Sequence, residues 1–322
     1  MRGPPKRYAG GRVAGALLFV IVAIAGCTRP AAPAGSAPVV AVENILADLA
    51  RQICGGRFTV VSLIPPGAEP HEYEPTPQDI AAVAGARMVI VNGAGLESFL
   101  TKMLGNAGGT RPVVVASAGL QSRAAREGEV LEGGVGGAGP ATDPDPHFWL
   151  DPVLVESYVR NIRDGLIGID PAGESSYRAN ADVSIGRLQE LDTWIRSQVA
   201  QIPPADRKLV TNHESLGYFA DRYGFRIVGT VIPSVSTEAS PTPRQLARLV
   251  DGLKAAGARA VFLETGANAQ LPRQVAEEAK IPVVTELYTH SLSGASGPAA
   301  TYVDMMRYDV ATIVAALQAG TR

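Results

Sequence analysis

The residues in this 322-residue chain best suited to metal chemistry are its histidines, of which there are only four. They are His71, His147, His213 and His290. Imidazole nitrogen is a good ligand for zinc, copper, iron and nickel, whereas manganese and magnesium favour oxygen ligands. The histidines are 76, 66 and 77 residues apart, so no local motif contains two of them. If they form one site, the tertiary fold must bring them together.

Each histidine lies at, or close behind, the carboxyl end of a predicted β-strand. The segments that lead to them are, in chain order, VVSLIPPGAEP, the DPDP that ends a long loop, KLVTN and PVVTELYT. In open α/β sheets, ligands bind beyond the carboxyl ends of the strands. A lone histidine is more often a surface or hydrogen-bonded polar residue than a ligand. Four histidines at comparable positions, two in each half of the chain, favour one metal site in a cleft.

The elements that must position these residues alternate along the chain. Buried apolar runs predict strands at 38–42, 58–64, 87–93, 112–117, 208–212, 225–232, 258–265 and 282–288. Amphipathic segments predict helices at 43–56, 76–86, 96–109, 213–224, 241–257, 271–280 and 301–319, with His213 opening the fourth of these. This βαβα order indicates parallel sheets with helices on both faces.

Two segments interrupt the alternation. Residues 121–146 are rich in Gly, Pro and acidic residues and predict a long surface loop. Residues 152–202 carry no strand pattern, and the part after Pro171 could form one helix about 40 Å long. We therefore predict an N-terminal α/β lobe at 38–170, a connecting helix at 171–203 and a C-terminal α/β lobe at 204–322. The fold class is two parallel-sheet α/β lobes joined by one long rigid backbone helix, with the metal site in the interlobe cleft.

The amino terminus has the pattern of a targeting segment. Four basic residues precede the apolar run 13–26, which is shorter than the about 20 residues of a membrane span and is typical of a secretory signal. Ile24-Ala25-Gly26-Cys27 resembles a bacterial lipobox, which predicts a signal peptide at 1–26, cleavage before Cys27, lipid on Cys27 and a flexible tether at 27–37. The alternative is an uncleaved anchor with an incidental cysteine.

Charge and cysteine content exclude several other classes of protein. Without the basic amino terminus the net charge falls from −2 to about −6, and an acidic body with no basic stripe argues against a nucleic-acid partner. Two cysteines exclude a disulfide-rich scaffold. We expect Cys54, on an apolar helix face, to belong to the core.

Four segments resemble the metal-binding (zinc/manganese) solute-binding lipoproteins of bacterial ABC transporters. The segments are PPGAEPHEYEPTPQD (65–79), DPHFWLDP (145–152), NHESLGYFADRYG (212–224) and ELYTHSLSGASGPAATYVDMMRY (286–308). The resemblance runs from about Pro38 to Arg322. It implies two α/β lobes bridged by a rigid helix with the metal between them, and it implies that His71, His147 and His213 are ligands.

His290 is a departure from that family, which usually has aspartate before the Ser-Leu pair of the last segment. The site would then contain four imidazoles, or three and either water or a carboxylate such as Glu286. Glu264 could accept a hydrogen bond from a ligand histidine, or it could be a surface acid. Glu286 is the other candidate for such a hydrogen-bond partner. Zinc-specific relatives often carry histidines in the loop that here spans 121–146, and this loop has none before His147.

The predicted function is extracytoplasmic capture of a divalent transition metal for an ABC transporter permease. Histidine ligands favour Zn(II) as the transported ion over Mn(II). A manganese-specific protein and a metal-binding lipoprotein adhesin remain alternatives. A secreted zinc hydrolase is disfavoured, because no HExxH motif occurs and neither Glu72 nor Glu214 lies in a base-like motif. We expect a monomer, anchored to the membrane by its lipid, that is not an enzyme.

Overall fold

A computed structural model describes residues 1–4, 37–123, 144–232, 234 and 241–319. Most of the predicted signal peptide, Cys27, nearly all of the tether and most of the loop at 121–146 lie outside these residues. The predictions made for them therefore stay predictions. Within the described ranges, no helix is both long enough and apolar enough to cross a bilayer.

The first lobe is built on a four-stranded parallel sheet in the order β2-β1-β3-β4. Its strands are β1 (Val39–Ala41), β2 (Val60–Ser62), β3 (Met88–Val91) and β4 (Val113–Val115). Its helices are α1 (Asn44–Cys54), α2 (Pro77–Ala84) and α3 (Leu100–Ala107). Every residue of β1 and β3 is buried, as expected for inner strands covered on both faces. Cys54 is also buried, which confirms its predicted place in the core.

The second lobe repeats this topology, with a parallel sheet in the order β6-β5-β7-β8. Its strands are β5 (Lys208–Thr211), β6 (Arg226–Thr230), β7 (Val261–Glu264) and β8 (Val283–Leu287). Its helices are α6 (Gly217–Tyr223), α7 (Pro243–Ala256) and α8 (Gln270–Ala279). The sequences of the two halves show no clear repeat, but the two sheets have the same strand order.

A local sequence signal accompanies this repeated topology. The helix after the second strand of each lobe begins with Thr-Pro, at Thr76 in one lobe and Thr242 in the other. Each threonine accepts a hydrogen bond from the backbone of the residue three positions on, and that residue's side chain, Asp79 or Gln245, bonds back to the threonine. These reciprocal bonds satisfy donors that the first helical turn leaves free.

Three long helices lie beside the two sheets, α4 (Pro152–Ile169), α5 (Glu174–Val199) and α9 (Tyr302–Ala319), and α5 joins the lobes. The 26 residues of α5 span about 39 Å at 1.5 Å per residue. One face of α5 is buried at Tyr177, Leu188 and Ile195 and packs against α1, α4 and α9. The largest apolar core therefore extends from the first lobe through α5 into the second. The predicted fold class, two α/β lobes joined by a long helix, is confirmed.

One predicted boundary is wrong. His213 does not open a helix, because α6 begins only at Gly217. The backbone of Ser215 bonds to the carbonyl of His213, and that of Glu214 bonds to Ser234. These bonds hold the residues after β5 in a turn, which leaves the His213 side chain free to face the neighbouring lobe.

Candidate metal centre

The structure brings all four histidines into one buried cluster. Each offers a ring nitrogen, and these four atoms lie within 4.8 Å of one another. His147 is central: its Nε2 atom lies 3.2 Å from Nε2 of His71, 3.1 Å from Nε2 of His290 and 3.4 Å from Nε2 of His213. His147 and His213 have no exposed surface, and the other two rings are buried.

His71 and His147 are held by the same local device in the first lobe. In Glu69-Pro70-His71, the Glu69 carboxylate accepts the His71 backbone N–H at 3.2 Å. In Asp145-Pro146-His147, the Asp145 carboxylate accepts the His147 backbone N–H at 3.0 Å. Each acid therefore closes a turn across the proline and fixes the direction in which the histidine leaves the backbone.

Asp145 makes a second contact that orients the His147 ring. Its Oδ1 atom lies 2.8 Å from His147 Nδ1. The same carboxylate lies 3.8 Å from the guanidinium of Arg123. A carboxylate on Nδ1 leaves the Nε2 lone pair of the histidine pointing into the cluster.

His213 comes from the carboxyl end of β5 and is oriented by Glu264, the last residue of β7. The Nδ1 atom of His213 lies 3.0 Å from Glu264 Oε1, and Ser215 Oγ donates to the same oxygen at 3.1 Å. Both side chains are buried. Of the two roles left open for Glu264, the structure therefore favours the partner of a histidine over a surface acid.

His290 lies three residues beyond β8. Its Nδ1 atom is 3.0 Å from Thr289 Oγ1 and 4.0 Å from Glu69 Oε2, and its ring stacks on His213 with centroids 4.8 Å apart. Glu286 lies elsewhere: it is exposed within β8, has a positive φ of 73° and is not part of the cluster. The prediction of Glu286 as a ligand or partner is wrong, because the backbone turns at its positive φ and the side chain is exposed, away from the cluster.

One ring nitrogen of each of the four histidines faces the same small space. In the neutral rings, with Nδ1 of His147, His213 and His290 protonated toward Asp145, Glu264 and Thr289, the Nε2 atoms are acceptors and cannot donate to one another. Buried acceptors that face each other need a cation between them. The cluster is therefore chemically suited to hold a metal ion.

Burial and neighbouring charges separate the histidines by protonation. Burial and the nearby His147 and His213 lower the pKa of His71 to about 2. Burial also lowers the pKa values of His147 and His290 well below the ordinary range. Burial acts on His213 in the same direction, but the carboxylates of Glu264, Glu69 and Asp145 together outweigh it and the net pKa is raised.

The carboxyl groups around the rings are perturbed as well. Burial raises the pKa of Asp145 to about 7, although the backbone of His147 and the Arg123 guanidinium act against this. Burial likewise raises the pKa of Glu69 to about 7. Asp145 and Glu69 are therefore both harder to ionise than an exposed carboxyl group.

Sequence reasoning missed Glu69, Asp145 and Thr289 as partners of the histidines. A signal for two of them was present, because an acid stands two residues before both His71 and His147 with proline between. Nothing comparable precedes His213, whose partner Glu264 lies 51 residues away on another strand.

Comparisons with known proteins place the chain among bacterial metal transporters. A family model described as "Zinc-uptake complex component A periplasmic" matches residues 39–316. The manganese-binding lipoprotein MntA of Halalkalibacterium halodurans is 36% identical over 307 residues, which cover 93% of this chain and 97% of the relative. The iron-binding protein YfeA of Yersinia pestis is 32% identical over 92% of this chain and 94% of the relative.

A solved structure agrees with these relatives. The periplasmic zinc binding protein TroA from Treponema pallidum superposes with a TM-score of 0.77 and 25% identity, covering 88% of this chain and 99% of that one. The three similar proteins are thus named for three different metals. Similarity alone does not select the metal of this chain.

Proposed function

The chain belongs to the Zinc-uptake complex component A periplasmic family, and from that premise we propose that it captures Zn(II) and passes it to a membrane permease. At the coarser level, it is a metal-binding substrate-binding component of an ABC transporter, and its relatives are transport proteins rather than enzymes. Zinc is cargo in this proposal, held by His71, His147, His213 and His290.

The nitrogen ligands carry the choice of zinc, and the three distances from His147 fit it. In a tetrahedral site with Zn–N distances of about 2.0–2.1 Å, neighbouring nitrogens lie about 3.3–3.4 Å apart. The three distances from His147 Nε2 are 3.1, 3.2 and 3.4 Å. The atoms that converge are neutral nitrogens, which suit zinc better than manganese.

Manganese is the second candidate, supported by the 36% identity to the manganese-binding lipoprotein MntA. Two carboxylates also lie directly behind the rings, Asp145 and Glu264. They add negative charge to the centre but contribute no oxygen to its inner shell. Since a hard cation favours oxygen in direct contact, this arrangement supports zinc over manganese.

A competition titration tests the selectivity. We expect purified protein to retain zinc and to bind Zn²⁺ more tightly than Mn²⁺ at neutral pH. His290→Asp would replace a nitrogen with an oxygen ligand and should shift the preference toward manganese, while the wild type serves as the matched control. Equal affinities of the wild-type protein for the two metals would overturn the proposal for zinc.

We also propose that the protein is extracytoplasmic and anchored through lipid on Cys27, as the lipoprotein names of its relatives support. We propose further that it is a monomer. Cys27→Ala should release the protein from the membrane fraction or leave the precursor unprocessed. Fractionation and mass analysis of the two forms would test this. Membrane retention of Cys27→Ala at the mature mass would contradict lipid anchoring.

A further inference from the structure

The segment that carries His290 follows a strand of the second lobe but is fastened to the first. We call residues 289–302 the ligand segment. The residues just before this segment bond to the second lobe and to the C-terminal helix. Thr265 N donates to the Leu287 carbonyl, and Tyr288 N donates to Asp309. Within the ligand segment, Thr289, Ser291, Leu292 and Tyr302 bond to elements of the first lobe and to the turn after His147.

Asn44, the first residue of α1, contacts the ligand segment twice. Its Nδ2 donates to Ser291 Oγ at 2.9 Å, and its Oδ1 accepts from Leu292 N at 2.8 Å. Both bonds are buried, and they grip the two residues that directly follow His290. The backbone N–H of Gly67 also donates to Ser291 Oγ, at 2.7 Å.

Bonds on either side extend this attachment. The Trp149 indole donates to the Thr289 carbonyl at 2.6 Å, one residue before His290. At the far end of the segment, Tyr302 N donates to Asp48 at 2.9 Å and Tyr302 OH donates to the Trp149 carbonyl at 2.7 Å. Six hydrogen bonds thus join the segment to α1, to the loop after β2 and to the turn after His147.

The surroundings of the His290 ring agree with this attachment. The ring lines a small cavity whose other lining residues all lie between positions 43 and 158, in the first lobe and α4. Across the cluster, the ring faces His213 of the second lobe. His290 therefore stands on the first-lobe side of the boundary.

We propose that Asn44 is a positioning residue for metal capture, which holds His290 on the same framework as His71 and His147. This inference rests on the proposed function. It makes the centre a three-plus-one site, in which the first lobe presents three nitrogens and the second lobe supplies only His213. Asn44 acts through His290, since its own amide is occupied by Ser291 and Leu292.

A double-mutant cycle with His290→Ala tests the proposal, with Zn²⁺ affinity measured by chelator competition. Outer-shell partners typically contribute about 10–100-fold to metal affinity, and we expect a loss in that range for Asn44→Ala. In the His290→Ala background, Asn44→Ala should change affinity by no more than about twofold, the scatter of independent sites. A similar loss in both backgrounds would show a general structural role and overturn the proposal.

A spectroscopic readout separates positioning from stability. With Co²⁺ as probe, the ligand-field bands of Asn44→Ala should move toward those of His290→Ala, because one imidazole is lost from the shell. Ser291→Ala is a milder variant of the same contact and should move the bands the same way. The proposal would also be overturned if Asn44→Ala is folded and the Co²⁺ bands of both Asn44→Ala and Ser291→Ala are unchanged from those of the wild type.

Asn180→Ala is the matched control. The Asn180 amide donates from α5 to the Ile53 carbonyl of α1 at 3.0 Å, away from the ligand segment. It should lower thermal stability without changing the Co²⁺ bands, and a matching change in its bands would remove the claim for Asn44. If the wild-type protein fails to hold Zn²⁺ at all, the proposed function fails. If the wild type binds and the cycle is additive, only this inference fails.

Discussion

The two lobes place different residues at the same point of the same topology. In the first lobe, the Ala41 and Val42 carbonyls accept from the neighbouring strand's chain, and Glu43 follows. In the second, the Thr211 and Asn212 carbonyls accept in the same pattern, and His213 follows. Glu43 and His213 are therefore equivalent positions beyond the central strand of each sheet.

Their surroundings give these residues opposite charge behaviour. Burial, and then the adjacent carboxyl of Glu97, raise the pKa of Glu43 well above its usual range. Among the described residues, neither carboxyl oxygen of Glu43 has a partner in hydrogen-bonding geometry. His213 has Glu264 beside it, which raises its pKa and favours imidazolium when no metal is bound. The topology sets the position, and the facing residue decides the protonation state.

The lobes also differ in how regular their sheets are. The strand pairs of the first lobe keep one register throughout. In the second lobe the register shifts between Leu209 and Val210 and again between Phe262 and Glu264. Each shift lies just before a residue of the centre, His213 or Glu264. The first lobe instead positions its histidines through acid-Pro-His turns outside the strands.

The largest expected effect concerns the ligand in the middle of the cluster. We expect His147→Ala to reduce Zn²⁺ affinity by more than the about 10–100-fold typical of an outer-shell change, and by more than His213→Ala. The reason is that His147 Nε2 is close to the ring nitrogens of all three other histidines. Chelator competition on both variants, with circular dichroism as a folding control, measures the difference. Equal losses would remove the asymmetry between the lobes.

The carboxylates behind the rings should give the next effect. Asp145→Asn and Glu264→Gln should each lower Zn²⁺ affinity by about 10–100-fold, as outer-shell partners do. Asp145→Asn should cost more, because Asp145 bonds both the ring and the backbone of His147. Glu156→Gln, at an exposed ion pair on α4, is a control that should leave affinity unchanged. A larger loss for Glu264→Gln would reverse the comparison.

In the metal-free centre, the protonation state of His213 should differ from that of the other three histidines. His71, His147 and His290 have lowered pKa values, so they should stay neutral in the folded apo-protein between pH 7 and 5. His213 has a raised pKa and should already be imidazolium at the acid end of that range. Imidazole NMR resonances of the apo-protein would report each ring, with single His→Gln variants for assignment. Titration of His71 near pH 6.5 would contradict this.

The same pKa shifts determine whether each histidine raises or lowers the stability of the folded apo-protein as the pH changes. The contribution of His213 is present below its unfolded pKa of about 6.5 and is lost as pH rises through its higher folded pKa. The three histidines with lowered pKa values act oppositely, because the unfolded chain takes up protons below about pH 6.5 that the folded centre refuses. Acid should therefore destabilise the apo-protein at three rings and stabilise it at one.

The smallest effect should come from Glu43, the counterpart of His213. With a raised folded pKa, Glu43 favours folding at low pH, and this contribution is lost as pH rises. Glu43→Gln keeps the shape of the neutral acid, so the variant should be more stable than wild type at pH 8, with little difference at pH 4. A change of about 1 kcal/mol would move Tm by about 2–4 °C. Calorimetry at both pH values tests this, and a lower Tm at pH 8 would mean that Glu43 is ionised.

The sequence by itself determined the fold class, the alternation of elements and which four residues could form a metal centre. These follow from local patterns: apolar runs predict strands, Thr-Pro begins helices, and histidine is scarce. The acid-Pro-His turns were also readable, because both partners lie within three residues. Such features depend on neighbours along the chain, whose contacts the sequence specifies directly.

Only the tertiary structure decided which carboxylate faces which ring. Glu264 and Glu286 each stand near the end of a second-lobe strand, yet Glu264 contacts His213 and Glu286 is exposed. The difference depends on strand register and on a positive φ at Glu286, which pattern reading does not supply. The bond from Asn44 to Ser291, which follows His290 and lies 247 residues further along the chain, was equally hidden. Contacts between distant segments arise from packing of the lobes, and the residue types alone do not encode their partners.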